Sequence, residues 1–442
     1  MGLLYDTERV VVRPGIQRPN GHTGKIRKAN LTGSSRALDC ESCGLYKNCL
    51  SPKMFPTGDG RKGILVIAEA PGKTEDEKGI QLIGEAGQLL RRVLREHDVD
   101  LDRDCRKTNS LSCRPEGNRT PTSKEIAACR SRVWEEIRSF QPKLIILLGN
   151  AAVESFLGHR WKKDLGGINK WRGFAIPDRE TRCWVVATFH PSFLLRSQGN
   201  PAVETVFRQD IELAMEYLDR PFPEVLDEQE RISIIQDPKQ VVQRLRDVFK
   251  KAGKDHDSLV AFDYETTGLK PYNKGHRIVC CGVAYNTLEG VPFLDDRAFV
   301  FEMTDDPDLR LWWKRILTSE KIRKSAHNMK FENTWTNVIL GHAVNGWEWC
   351  SMQAAHVLDN RPDITGLKFQ AYVNFGIVDY ASEIEPFLRS DGSSDNAFNQ
   401  IDKAPLRDLM RYCGMDALFQ LRLARKQMKQ MKMIGGSNGG VY

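Results

Sequence analysis

Phe262-Asp263-Tyr264-Glu265-Thr266-Thr267-Gly268-Leu269 is the stretch around which this 442-residue chain is organised. The apolar run Leu259-Val260-Ala261-Phe262 leads into it and predicts a buried strand. Side chains alternate along a strand, so Asp263 and Glu265 leave on one face, about 6–7 Å apart along the chain. Two like charges that close raise each other's pKa unless a cation separates them. Mg²⁺ is held by this kind of group, one or two carboxylates completed by substrate phosphates. A solvated edge strand would also carry two acids, but Thr266-Thr267-Gly268 turns the chain sharply just after them.

Working outward, the length predicts two or three domains with room for real cores. Hydrophobic residues at 40% and charged residues at 28% are ordinary for a soluble globular protein. A net charge of +7 suits a partner rich in phosphate. No uncharged apolar run approaches a membrane span, and no signal-peptide pattern opens the chain. The expected location is therefore the cytoplasm, with no membrane partner. Eleven cysteines in such a chain point to metal ligands or reduced core residues rather than disulfides.

Residues 1–38 mix basic residues with Gly, Pro and Asn and predict a flexible basic arm. Cys40 and Cys43 then form a C-x-x-C pair, and Cys113 and Cys129 follow, 16 residues apart. Four thiolates from separated segments can close a Zn²⁺ site or hold an iron–sulfur cluster, and spacing alone does not choose. Four runs read as strands: Ile64–Ala68, one ending at Thr108-Asn109, Leu144–Leu148, and Cys183–Thr188. Helical patterns alternate with them, which predicts an α/β domain with a mainly parallel sheet. Glu69, Asn109 and His190 fall at or just past strand ends, where α/β sheets build their pockets. Arg220-Pro221-Phe222-Pro223-Glu224 interrupts the pattern, and residues 220–230 read as a linker. A strand at Ile232–Ile235 and a helix from Pro238 restart it. The Gly-, Ser- and Asn-rich stretch 434–442 reads as a flexible tail.

The D-x-E-T-T-G stretch resembles the first motif of the DEDD-type 3′–5′ exonucleases found as proofreading domains of family A DNA polymerases. Ala326-His327-Asn328-Met329-Lys330-Phe331-Glu332 resembles the second motif, with Glu332 where that family has Asp. Tyr412-Cys413-Gly414-Met415-Asp416 resembles the third, Y-x-x-x-D, of the tyrosine subclass. This resemblance implies an RNase H-like domain with a mixed sheet over 231–433. It implies two divalent ions, Mg²⁺ or Mn²⁺, held by Asp263, Glu265, Glu332 and Asp416, with Tyr412 orienting the attacking water. It also implies single-stranded DNA 3′ ends as substrate. The polymerase palm, thumb and fingers do not follow, so a separate DNA polymerase is an expected partner.

The N-terminal half resembles the iron–sulfur, family 4 uracil-DNA glycosylases over roughly Leu38 to Leu218. The resemblance rests on C-x-x-C, E-A-P-G-x-x-E-D, G-x-A-G-x-L-L, T-N-x-x-x-C-R-P-x-x-N-R-x-P, Cys129, Arg172-Gly173 and H-P-S-x-L-L-R. It implies a three-layer α/β/α domain over 39–219 and a [4Fe–4S] cluster on Cys40, Cys43, Cys113 and Cys129. It implies that Asn109 reads the flipped uracil, that His190 stabilises charge on the leaving base, and that Glu69 holds the attacking water or the sugar cation. Phe193-Leu194-Leu195-Arg196 would wedge the duplex. Two positions depart from the family. Ala68 replaces the Gly of G-E-A-P-G, and Leu82 stands where the family's G-x-P-F-V-G has the Phe that stacks on the base. Losing that stack, about 1–3 kcal/mol, predicts a weakened or altered pocket. The expected protein is thus a DNA-processing enzyme of phage or prophage replication or repair. The alternative is a glycosylase-like half that only holds DNA or a polymerase for the exonuclease.

Overall fold

A computed structural model describes residues 40–161, 164–197, 199–254, 258–285, 296–390, 392 and 394–435. The basic arm expected over 1–38 lies outside the described residues, as do 436–442, while 434–435 continue the helix Leu406–Gly435. Among the described residues, eleven strands form two sheets.

The first sheet holds β1 (Ile64–Ala68), β2 (Cys105–Asn109), β3 (Leu144–Leu148), β4 (Ala175–Asp178) and β5 (Cys183–Thr188), in the order β2-β1-β3-β5-β4. The runs read as strands from sequence form its parallel strands, and β4 adds an antiparallel edge along β5. That edge was hidden because Ala175-Ile176-Pro177-Asp178 is short and carries a proline, which a sheet tolerates at its border. Alternate side chains of β1 and β3 feed two cores. Leu65, Ile67, Ile145 and Leu147 face Val133, Ile137, Val153 and Phe156. Ile64, Val66, Leu144 and Ile146 face Leu90, Val93, Phe207 and Ile211. The result is the expected α/β/α sandwich.

The second sheet holds β6 (Ile232–Ile235), β7 (Leu259–Thr266), β8 (Ile278–Tyr285), β9 (Arg297–Glu302), β10 (Arg323–Ala326) and β11 (Trp347–Cys350), in the order β11-β10-β7-β8-β9-β6. It is mixed, as expected: β7, β10 and β11 run parallel, and β8 lies antiparallel between β7 and β9. The helix Leu406–Gly435 crosses β7, β8 and β9. Its approach is close enough to demand glycine on both sides. A Cβ on Gly282 of β8 would sit 2.6 Å from the Cys413 carbonyl oxygen, and one on Gly414 would sit 2.5 Å from Ile232 Cγ2.

One helix of the second half also belongs to the first half's core. In Leu367–Phe375, Phe369, Tyr372 and Val373 are buried with Trp171, Ile176 and Val185. Burying side chains of this size is worth about 1.5–3 kcal/mol each. The segment expected as a linker is pinned too. Glu228 is 6% exposed and accepts from Arg179 at 2.8 Å and Arg422 at 3.2 Å.

Candidate functional site

Period two on β7 explains how its acids meet the third motif. Phe262 and Tyr264 point into the core on one face of the sheet. Leu259 and Ala261 point to the other and pack on Ala417, Leu418, Leu421 and Ala424 of the helix Leu406–Gly435. Asp263 and Glu265 continue that second row. They therefore arrive opposite the preceding turn of the helix, which carries Tyr412, Cys413 and Asp416. The Cys413 thiol donates to the Asp263 carbonyl oxygen at 3.5 Å. Glu332 reaches the same place from the helix Met329–Trp335, which starts just after β10. All four acids and Tyr412 line one cleft of about 780 Å³.

Asp263 is half-buried, and Glu265, Glu332 and Asp416 are buried. Burial raises the carboxyl pKa of Asp263, Glu265 and Glu332 well above the usual range, and neighbouring acids raise it further. For Asp263 the neighbour is Asp416; for Glu265 and Glu332 it is Asp263. Among the described residues, Glu332 Oε2 is buried with no hydrogen-bond partner. Carboxylates crowded in this way, one with an orphaned oxygen, fit hard divalent cations.

Three residues that contact the acids or Tyr412 were not anticipated from sequence, and of these Lys368 lines the cleft. Lys368 donates to the Tyr412 hydroxyl and favours the ionised forms of Asp263 and Glu265. Tyr380 donates to Asp416 Oδ1 at 2.5 Å. Cys413 places its sulfur with one oxygen each of Asp263 and Glu265, all within 4.8 Å of one another. Lys368 and Tyr380 lie outside the three motifs, and only the packing of the helix Leu367–Phe375 brings Lys368 in. Cys413 lies within Y-C-G-M-D, but the motif leaves its position free.

The first sheet gathers its own group. Ala68 pairs with Asn109, so β1 and β2 end side by side, with Glu69 one residue past β1. His190 follows β5 and caps the helix Pro191–Arg196. The Ser192 backbone N–H donates to His190 Nδ1 at 3.2 Å. An Nδ1 that accepts leaves the ring proton on Nε2. Burial, and secondarily Arg196, push the His190 pKa down to about 4, so the ring is neutral at ordinary pH. Burial pushes the Glu69 carboxyl up, opposed by Arg196. On the neighbouring helix Phe193 and Leu195 are exposed, as a wedge requires, while Leu194 is buried.

Leu82 does not stand in for the stacking Phe. Its φ is 52° and its side chain is buried with Val66, Leu90 and Leu94. The residue that meets Asn109 is Gln81, itself fully buried, whose Oε1 accepts from Asn109 Nδ2. Gln81 Nε2 in turn donates to the Phe55 carbonyl oxygen at 3.3 Å. Glu75 holds this loop by accepting from the N–H groups of Ile83 at 2.9 Å and Gly84 at 2.7 Å. The signal for Gln81 was present in sequence: a glutamine where the family's motif has proline.

Cys40 and Cys43 occupy one short helix, Cys129 lies on the helix Ser123–Phe140 packed against it, and Cys113 is buried in the loop after β2. Cys113 Sγ accepts from the Lys53 N–H at 3.2 Å. Among the described residues, no three of these four thiols bring their sulfurs within 4.8 Å of one another.

The chain matches the uracil DNA glycosylase superfamily over residues 55–212 and a 3′–5′ exonuclease family over residues 232–432. The type-4 uracil-DNA glycosylase of Thermotoga maritima is 34% identical over 187 residues, 42% of this chain and 92% of that protein. That of Pyrobaculum aerophilum is 33% identical over 178 residues, 39% of this chain and 86% of its own. Through its N-terminal half the chain belongs to the type-4 uracil-DNA glycosylase family. A DNA polymerase of Bacillus phage SP01 is 24% identical over 335 residues, 70% of this chain. The chain spans about a third of that polymerase's length, 34%. The match is longer than the exonuclease region, so it enters the glycosylase-like half. Among solved structures, Brucella melitensis NrnC aligns over 47% of this chain and 84% of its own at 17% identity and a TM-score of 0.31. The molecule is a uracil-DNA glycosylase-like domain fused to a 3′–5′ exonuclease domain, a pairing whose substrate is DNA. No described helix is long and apolar enough to cross a membrane.

Proposed function

We propose that the unit 231–433 shortens DNA from 3′ ends by phosphodiester hydrolysis at the four-acid cleft, and that the unit 39–219 excises uracil. The orphaned Glu332 Oε2 among three carboxyls with raised pKa carries the first part. Asp263, Glu265, Glu332 and Asp416 would hold two divalent ions, Mg²⁺ or Mn²⁺, which supply Lewis-acid activation of water and of the leaving 3′ oxygen. The chain's own part is positioning. Tyr380 fixes the Asp416 carboxylate, and Lys368 fixes the Tyr412 hydroxyl, which orients the attacking water.

In the glycosylase pocket, neutral His190 offers its Nε2 proton to the charge growing on the leaving uracil oxygen. Asn109 reads the base edge once Gln81 releases it, and Glu69 faces the sugar. Cys40, Cys43, Cys113 and Cys129 would hold a [4Fe–4S] cluster as a structural staple. A tetrahedral Zn²⁺ with Zn–S of about 2.3 Å draws its sulfurs to about 3.8 Å, closer together than any three of these thiols stand among the described residues. The N–H of Lys53 aimed at Cys113 suits a thiolate. Iron and labile sulfide should co-purify in equal amounts, and a Cys113→Ala protein should lose both; stoichiometric zinc would overturn the cluster.

One experiment separates the two activities. A duplex with a central uracil is incubated with and without Mg²⁺, and both products are resolved on one gel. Strand cleavage at the uracil site after alkali is expected without the metal, and 3′ shortening only with it. No abasic product at enzyme excess rejects uracil excision. Intact ends with metal present and all four acids in place reject the exonuclease.

A further inference from the structure

The exonuclease cleft is not walled by its own half alone. Trp161 and Lys170 line it together with Asp263, Glu265, Glu332 and Asp416, although they precede β6 and belong to the glycosylase-like half. We propose that these two residues form a landing surface for the single strand whose 3′ end lies among the acids. Trp161 would stack on a base and Lys170 would pair with a backbone phosphate. This rests on the nuclease reading of the cleft.

The position of Trp161 is fixed by packing. Its indole stacks on Tyr372 at 5.8 Å and 26° between ring planes, and meets Trp171 and Phe369 edge-on at 5.6 and 5.8 Å. Its Nε1 donates to the Asp164 carbonyl oxygen at 3.1 Å. Trp161 is nonetheless half-buried rather than buried, so part of the indole remains open on the cleft. Lys170 donates to the same carbonyl oxygen at 2.9 Å. Its ammonium lies 5.7 Å from the ring centres of both Trp161 and Phe369. Among the described residues, no carboxylate bonds it in that arrangement. The nearby Asp164 carboxylate accepts instead from the Gly166 N–H at 3.2 Å.

A strand entering a cleft of four acids meets repulsion, and cations on the approach offset it. A rigid aromatic face beside a lysine is how proteins hold single strands without reading sequence, each stacked base contributing about 1–3 kcal/mol. The same contacts tie the two halves functionally. Phe369, against which Trp161 and Lys170 pack, directly follows Lys368, which holds Tyr412.

The test is equilibrium binding of a 3′-fluorescein oligothymidylate to the full chain in Ca²⁺, measured by anisotropy across a salt series. Lys170→Ala should weaken binding about fivefold and lower the slope of log Kd against log salt by about 0.7, the signature of one lost phosphate contact on a single strand. Trp161→Ala should weaken binding about 5- to 100-fold with the slope unchanged, circular dichroism confirming that it folds. Lys314→Ala, on an exposed helix face elsewhere, is the control. Unchanged affinity and slope in Lys170→Ala overturns the proposal, whether or not the wild type cleaves the strand. A changed slope in a protein that never shortens DNA upholds this binding surface while the nuclease reading fails.

Discussion

The two sites of this chain are built on opposite principles. In the exonuclease cleft the polar groups are in surplus: carboxyls crowd together, and Glu332 Oε2 has no partner among the described residues. In the glycosylase pocket the groups satisfy one another: Asn109 is bonded to Gln81, and His190 to Ser192. A site with unsatisfied acids waits for cations, and its cost is repulsion in their absence. A site with satisfied amides is stable when empty, and its cost falls on the base that must displace Gln81.

The contrast can be broken most severely at Asp263. Asp263→Ala should lower Mg²⁺-dependent 3′ shortening at least about 1,000-fold, roughly 4 kcal/mol of barrier, and leave uracil release intact on the same gel. Loss of both activities would mean that the sites are not independent. Next in size is Lys368→Met, expected to slow strand shortening about 10- to 100-fold, as removal of outer-shell partners does. Because Lys368 favours the ionised acids, its loss should also move the acid limb of the pH–rate profile to higher pH. A rate loss without that movement would assign Lys368 a packing role only. Gln81→Ala acts in the other direction. Freeing Asn109 of one hydrogen bond, about 1 kcal/mol, should speed single-turnover uracil release about fivefold. A slower variant would show that Gln81 helps to read the base. The smallest effect is the absence of one. With its pKa held at about 4, His190 stays neutral above that value, so uracil release should vary less than about twofold between pH 5.5 and 8. A fall toward pH 6 would mean that His190, or the Glu69 carboxyl that burial pushes up, takes a proton there.

Much of this was legible beforehand because it obeys short-range rules. The acids of β7 follow from the two-residue period, and Tyr412 and Asp416 share a face because four residues make about one helical turn. What escaped notice depends on distant chain segments. Lys368 enters its cleft only because the helix Leu367–Phe375 packs on β4, nearly 200 residues earlier in sequence. β4 escaped because four residues with a proline carry almost no period. The lost stack at Leu82 could be read from the motif, but motif alignment gives a position and not a direction. The left-handed backbone of Leu82 turns the side chain into the core and leaves Gln81 beside Asn109.

The shared helix Leu367–Phe375 has a practical corollary. Severing the gene at residues 220–230 would look like a clean excision, yet neither fragment would be self-sufficient. The front piece would lose the plug that covers Trp171 and Ile176, and the back piece would display Phe369 and Tyr372 to water. Both should be recovered as aggregates, and mixing them during refolding should rescue solubility. Whatever selection acts on one activity therefore also constrains the other, because a single helix is common property of both.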